Sequence, residues 1–120
     1  MDQQLQTEAA QLYAQMCKGL SNPHRIMIVF LLAERPFSVN ELSELTSLAQ
    51  PTVSRHLKIM RDKGIVADKR DGQHVYYTIS DDRIVQALNL FREVMAERLQ
   101  RQTTLTASVS QTTQSLVKES

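Results

Sequence analysis

Two short amphipathic segments, joined by a turn of only a few residues, constrain the fold of this chain most strongly. Ser38 and Glu41 form the S-x-x-E pattern of a capping box, which predicts the start of a short helix. Val39, Leu42 and Leu45 are expected on the inward face of that helix. The sequence TSLAQ that follows predicts a tight turn, so a second helix must begin close to the end of the first.

The second helix is predicted to lie in the stretch AQPTVSRHLKIMRDKG, residues 49–64, where Pro51 fits the first helical turn. Spacings of four and three place three apolar side chains on one face: Val53, Leu57 and Met60. At 100° per residue, Arg55, Lys58 and Asp62 point the opposite way and are flanked by Thr52 and Ser54. The outward face of this helix is therefore polar and basic.

Two further helices are predicted before this pair. The first carries an apolar stripe with helical spacing, made of Leu5, Ala9, Leu12, Met16 and Leu20. The second begins with Asn22 as its N-cap and Pro23 in its first position. It contains IMIVFLLAE, which is apolar nearly all round and should be buried, and Pro36 stops it.

After Gly64 the sequence predicts a two-stranded ribbon and then a last long helix. In DKRDGQHVYYTI, Asp71 and Gly72 form a dipeptide suited to a two-residue hairpin turn. The last helix is predicted over residues 82–101, with Ile84, Val85, Leu88, Phe91, Met95 and Leu99 on its apolar face. The remainder, residues 102–120, is rich in Ser, Thr and Gln and is predicted to be a polar, disordered tail.

This order of elements predicts a mainly α fold with a small β-hairpin, a winged helix-turn-helix in residues 1–101 with an extra helix at each end. In such a pair the second helix is presented outward, and the major groove of DNA admits one α-helix. Between residues 50 and 74 there are six basic residues against three acidic ones, although the whole chain has a formal charge of only +1. The predicted partner is therefore double-stranded DNA.

Length and composition narrow the remaining function classes. A chain of 120 residues is expected to form one domain, and no residues show a recognisable catalytic spacing or glycine-rich phosphate loop. We therefore expect no enzyme activity and no cofactor. Cys17 is the only cysteine, and the longest apolar run, IMIVFLLA, is far shorter than a membrane span. A cytoplasmic protein without export signal or membrane contact is expected.

The stretch NPHRIMIVFLLAERPFSVNELSELTSLAQPTVSRHLKIMRDKGIVADKRDGQHVYYTI resembles the ArsR/SmtB family of small dimeric bacterial repressors. The likeness rests on the VSRHL core, the leucine-rich helix before it and the R-x-G-x-x-x-Y-Y wing. It implies a homodimer, paired through the first and last helices, that occludes a promoter until a signal releases it. The family usually has a capping residue such as Ser at the position of Ala49 and a basic residue at the position of Gln73. The two departures imply weaker or differently placed contacts with the DNA backbone.

Two metal-site patterns of this family can be compared with the chain position by position. The paired cysteines of the first pattern are replaced here by Ser38 and Asn40. The D-x-H-x10-H-x-x-E pattern of the second becomes Asp81, Arg83, Val94 and Glu97, so both imidazoles are missing. The resemblance therefore implies that neither metal site is present.

The candidate DNA-binding residues lie on the second helix of the pair and on the wing, and they are Gln50, Thr52, Ser54, Arg55, His56, Lys58, Arg70, Gln73 and His74. His56 lies beside the apolar face, so packing is an equal alternative for it. Local hydrogen bonding is the alternative for Gln50 and Ser54, and capping of the exposed strand is the alternative for His74. Cys17 is a candidate thiol sensor, with a plain apolar role as its alternative. The alternative function is a winged-helix module that binds another protein, which the basic outward face disfavours.

Overall fold

The computed structural model describes the backbone of residues 2–119 and the side chains of residues 2–102. Within these residues, helices and one antiparallel two-stranded sheet follow each other in the predicted order, which confirms the mainly α fold with a small hairpin. The elements are α1 (Gln3–Leu20), α2 (Pro23–Glu34), α3 (Val39–Thr46), α4 (Gln50–Asp62), β1 (Val66–Asp71), β2 (His74–Ile79) and α5 (Asp82–Glu119). The chain divides into two compact units, Met1–Val85 and Gln86–Ser120.

The helix starts predicted from local sequence signals are confirmed. The side chain of Asn22 accepts a hydrogen bond from the backbone N–H of His24 at 2.8 Å, which caps α2. At α3 the Ser38 hydroxyl accepts from the Glu41 N–H at 3.2 Å, and the Glu41 carboxylate accepts from the Ser38 N–H at 3.1 Å. This reciprocal pair is a complete capping box.

The core of the first unit lies where α2, α3, α4 and the start of β1 meet. Its fully buried side chains are Ile28, Val29, Leu42, Val53, Leu57, Met60 and Ile65. The predicted inward face of α4 is thus confirmed. The expectation that α2 is buried on nearly all sides is only partly met, because Met27 is 45% exposed in the single chain.

The hairpin pairs Val66 with Ile79 at one end and Asp71 with His74 at the other. The two loop residues are therefore Gly72 and Gln73, and the predicted Asp71–Gly72 turn is wrong by one position. Of these two loop residues, only Gly72 has a positive φ, 64°, which suits the first position of a type II′ turn. An Asp-Gly turn of type I′ needs a positive φ at both positions, whereas Asp71 remains paired in β1.

A short extended segment ahead of α3 also joins the hairpin. Phe37 and Tyr77 form an antiparallel bridge, in which the Tyr77 N–H donates to the Phe37 carbonyl at 2.8 Å and the Phe37 N–H donates back at 3.2 Å. The Phe37 side chain is buried, and the Arg35 guanidinium lies over its ring. These backbone bonds fix β2 to the start of the helix pair.

The last helix is longer than the sequence predicted, since α5 extends past residue 101. No glycine or proline after that residue ends it. The side chains of residues 103–120 lie outside the described residues, so the predicted polar tail over residues 102–120 stays a prediction. Among the described residues, no helix combines the length and apolarity needed to cross a membrane.

Candidate nucleic-acid interface

The turn between α3 and α4 is held by short-range hydrogen bonds from small polar side chains. The Thr46 hydroxyl donates to the Leu42 carbonyl at 2.6 Å and accepts from the Leu48 N–H at 3.3 Å. Ser47 adopts the left-handed conformation with φ 62°, which ends α3 and reverses the chain. The direction of α4 is thus set by this turn and by the burial of its apolar face.

The opposite face of α4 is exposed and basic. Arg55 and Lys58 are exposed, as are Gln50 and Ser54, while Thr52 is half-buried. Among the described side chains, neither Arg55 nor Lys58 has an acidic partner within ion-pair distance. Two cations without carboxylate partners on one helix face favour an anionic ligand, such as the phosphates and base edges of DNA.

The N-terminus of α4 carries no side-chain cap. Ala49 is the N-cap residue and has no side chain able to accept a hydrogen bond, while Pro51 lies in the first turn. A phosphate oxygen is a suitable acceptor for N–H groups at an uncapped helix N-terminus, and the helix dipole favours its charge. The absence of a capping serine, noted in the sequence, therefore coincides with an open anion-accepting end.

The wing adds exposed polar groups at the tip of the hairpin. Arg70, Gln73 and His74 are all exposed, and so is Lys69. Nearer the base, Arg61 of α4 lies 3.8 Å from Asp68 of β1, which leaves that charge partly neutralised. Within the described residues, Lys69 and Arg70 have no acidic partner at this distance.

His56 departs from the other candidate contacts because it is buried, with only 6% of the residue exposed. Its Nδ1 lies 3.3 Å from Nη1 of Arg25, a partner that the sequence reasoning did not identify. Burial lowers the pKa of His56, and the charges of Arg25 and Arg55 lower it further. Its burial and its contact with Arg25 therefore favour the packing alternative for His56 over a DNA contact.

Three of the positions that correspond to the family's metal sites, Ser38, Asp81 and Arg83, have other roles in this structure. Ser38 is used in the capping box, and Arg83 forms an ion pair with Asp81 at 2.7 Å. The hydrogen bonds from Arg83 lower the pKa of the Asp81 carboxyl to about 2. Cys17 is exposed on α1. Among the described residues, no three His, Cys, Asp or Glu side chains come together as metal ligands would.

Comparison with known proteins places this geometry in context. Residues 22–68 match the model of a family described as "Bacterial regulatory protein, arsR family". The chain is 37% identical over 76 residues to the biofilm growth-associated repressor of Xylella fastidiosa, covering 63% of this chain and 67% of that protein.

Solved structures agree with the sequence comparison. The crystal structure of Mycobacterium tuberculosis Rv0081 superposes with a TM-score of 0.72 at 35% identity, covering 79% of this chain and 96% of the other. The homodimeric winged helix-turn-helix DNA-binding domain Mb0332 of Mycobacterium bovis gives a TM-score of 0.72 at 26% identity, covering 81% and 88%. These likenesses extend beyond the helix pair to most of the chain.

Proposed function

The chain belongs to the ArsR family of bacterial regulatory proteins and is a DNA-binding transcriptional regulator, and we propose that it acts as a homodimeric repressor of an inverted-repeat operator. The observation that carries this proposal is the outward face of α4, where Arg55 and Lys58 have no acidic partner within the described residues. In this proposal α4 is the recognition helix, which enters the major groove.

The proposed contacts divide between the groove and the adjoining backbone. Arg55, with Gln50, Thr52, Ser54 and Lys58, faces base edges and phosphates from α4. Arg70, Gln73 and His74 contact the neighbouring sugar-phosphate backbone from the wing. A repressor of this kind performs no reaction, so we expect neither catalysis nor a cofactor. We expect it to act in the cytoplasm, where bacterial DNA lies.

Dimerisation is proposed through α1 and α5, because each helix exposes apolar side chains. On α1, Leu5, Leu12 and Tyr13 are more than half exposed. The described part of α5 exposes a longer apolar series, made of Leu90, Phe91, Val94, Met95 and Leu99. Such faces are unfavourable in water and suit a second copy of the chain, in keeping with the homodimer named for Mb0332.

The test combines stoichiometry with selection of DNA from a random pool of duplexes. Sedimentation at micromolar concentration should give about twice the 13.7 kDa chain mass. The selected duplexes should share an inverted repeat with half-site centres about 10 base pairs apart. A monomer would contradict the two-fold model, and a pool without enrichment would favour the protein-binding alternative. The signal that releases the repressor is unassigned.

A further inference from the structure

We propose that Arg25 is a positioning residue that holds the recognition helix α4 to the C-terminal end of α1, with His56 as its acceptor on α4. The proposal rests on the proposed function, in which α1 takes part in dimerisation and α4 contacts DNA. It adds a physical link between those two activities.

The guanidinium of Arg25, which projects from α2, spans two other helices. Its Nε donates to the Gly19 carbonyl of α1 at 2.8 Å, and its Nη2 lies 3.5 Å from the Lys18 carbonyl. Its Nη1 lies 3.3 Å from His56 Nδ1. Carbonyls in the last turn of a helix lack partners within the helix and form the negative end of its dipole, which favours a cation there.

The chemistry of the contact defines the protonation state of His56. Arginine has donors only, so Nδ1 of His56 must be the unprotonated, accepting nitrogen and the ring must be neutral. The groups that face the ring are Arg25 and His24 on α2, with the His24 ring centroid 6.1 Å away, and Arg55 on α4 itself. None of these groups is acidic, and burial and the nearby charges keep the pKa of His56 low.

The same end of α1 also contacts the far end of α4. Gly19 is buried and lies against Ile65 and Lys63, which follow α4 in the chain. Lys63 further donates a hydrogen bond to the Gln15 side chain of α1. With the Arg25 contact near the middle of α4, these contacts fix the helix to α1 at two points along its length.

Because His56 is held by Arg25, the orientation of the DNA-facing side of α4 is held as well. Arg55 precedes His56 in the same helical turn, so a rotation of α4 about its axis changes the direction of the Arg55 side chain. A movement of α1 when the dimer rearranges would pull on the Gly19 carbonyl and on Arg25 together. Through Arg25, the position of α1 is thus coupled to the presentation of the basic face.

The test measures the affinity of the full chain for the duplex selected by the wild type and for an unrelated duplex. Arg25→Met removes the guanidinium, and His56→Leu removes the acceptor. His56→Asn keeps an acceptor in the place of Nδ1. Arg35→Met is the matched control, because Arg35 also lies beside α2 but binds Glu41 and the Pro36 carbonyl. Thermal melting and sedimentation verify that each variant is folded and dimeric.

Arg25→Met and His56→Leu should each weaken binding to the selected duplex by about tenfold, the effect of one hydrogen bond to a charged group. The double variant should be no weaker than either single one. His56→Asn and Arg35→Met should bind like the wild type. Affinity for the unrelated duplex should stay within about twofold, since it depends on phosphate charge rather than on helix orientation.

Other outcomes overturn the inference. A folded Arg25→Met variant with wild-type affinity, additive losses in the double variant, or equal losses in His56→Asn and His56→Leu would each remove the proposed link. If Arg25→Met does not fold, the two His56 variants decide alone. A wild-type chain that selects no duplex contradicts the proposed function and the inference together, whereas a wild type that binds with unaffected variants contradicts the inference only.

Discussion

A methyl group placed on Gly19 would lie 2.6 Å from Cδ1 of Ile65, closer than two carbon atoms approach without movement. The same methyl would also lie 3.1 Å from Cγ of Lys63. Ile65 is fully buried, so its side chain has little room to give way. The C-terminal end of α1 can approach the α4–β1 connection this closely only because residue 19 has no side chain.

Gly19→Ala should therefore destabilise the protein by about 1–2 kcal/mol, because overpacking outweighs the gain in helix propensity. Urea unfolding measures the change. Adding Ile65→Val, which removes Cδ1, should reduce the penalty of the alanine, so the two substitutions should be coupled in a double-mutant cycle. Gln6→Ala on the exposed part of α1 is the control. An alanine variant as stable as the wild type would contradict the close approach.

The stability of the fold should depend on the protonation of His56. Its pKa lies below the ordinary 6.5, chiefly because of burial, so the unfolded chain takes up this proton more readily than the folded one. The neutral His56 ring therefore contributes fully to the free energy of unfolding above pH 6.5. This contribution is lost as the pH falls through the lowered pKa of the folded state. His56→Asn, which cannot titrate, should lose less stability than the wild type between neutral and mildly acidic pH.

The measurement is the free energy of unfolding from urea titrations at several pH values, and the difference between wild type and variant cancels the contribution of the carboxylates. His74→Asn, which changes an exposed histidine on β2, is the control. Parallel curves for wild type and His56→Asn would contradict a buried neutral His56.

Arg55→Ala should weaken binding to the selected duplex by about 1–3 kcal/mol if the side chain contacts a base, and the sequence preference at that position should relax. A contact to phosphate alone would weaken all duplexes alike and reduce the salt slope by about one unit. Arg35→Ala removes the same charge beside α2 and is the control. Wild-type affinity in Arg55→Ala would contradict the assignment of this face to DNA.

Ala49→Ser should stabilise the fold by about 1 kcal/mol, since α4 has no side-chain cap and a serine hydroxyl can accept from its first N–H groups. Thermal or urea unfolding measures the gain. Ala10→Ser, inside the exposed part of α1, offers no uncapped helix end and should show no gain. Equal effects of the two serines would mean that the N-terminus of α4 is already satisfied.

Zinc, cobalt, cadmium or arsenite should not release the protein from DNA through the two family positions. Ser38 is committed to a capping box, and the Asp81 carboxylate is held by Arg83. Isolated carboxylates bind such ions weakly, and thiolates or imidazoles are the ligands that soft metals prefer. Each metal is titrated into a preformed complex under reducing conditions. Release at near-stoichiometric metal, abolished in Cys17→Ser, would contradict the prediction and assign sensing to Cys17.

Features determined by neighbouring residues were predictable from the sequence. Asn22, Ser38 and Glu41 act on N–H groups within three positions, and the apolar face of α4 follows from its periodicity alone. The hairpin was found, but its turn was misplaced by one residue. Both Asp71–Gly72 and Gly72–Gln73 suit a tight turn, and the pairing of Asp71 with His74 decides between them.

Contacts between distant positions were not predictable. Arg25 and His56 are 31 residues apart, and no local pattern indicates that they meet. The helical wheel placed His56 beside the apolar face but could not choose between DNA and the core. The bridge between Phe37 and Tyr77 was missed for a similar reason, because a single extended residue after Pro36 has no alternating pattern to reveal it.

The bridge between Phe37 and Tyr77 determines which substitutions leave the wing in place. Phe37 and Tyr77 are joined through main-chain atoms, which every amino acid except proline supplies at the donor positions. The position of the wing beside the helix pair therefore depends little on the side chains at the hairpin tip. In the proposed complex, substitutions of the exposed tip residues Lys69, Arg70, Gln73 and His74 would change the strength of the backbone contact while the scaffold stays in place, so these four positions are suited to tuning the affinity for DNA.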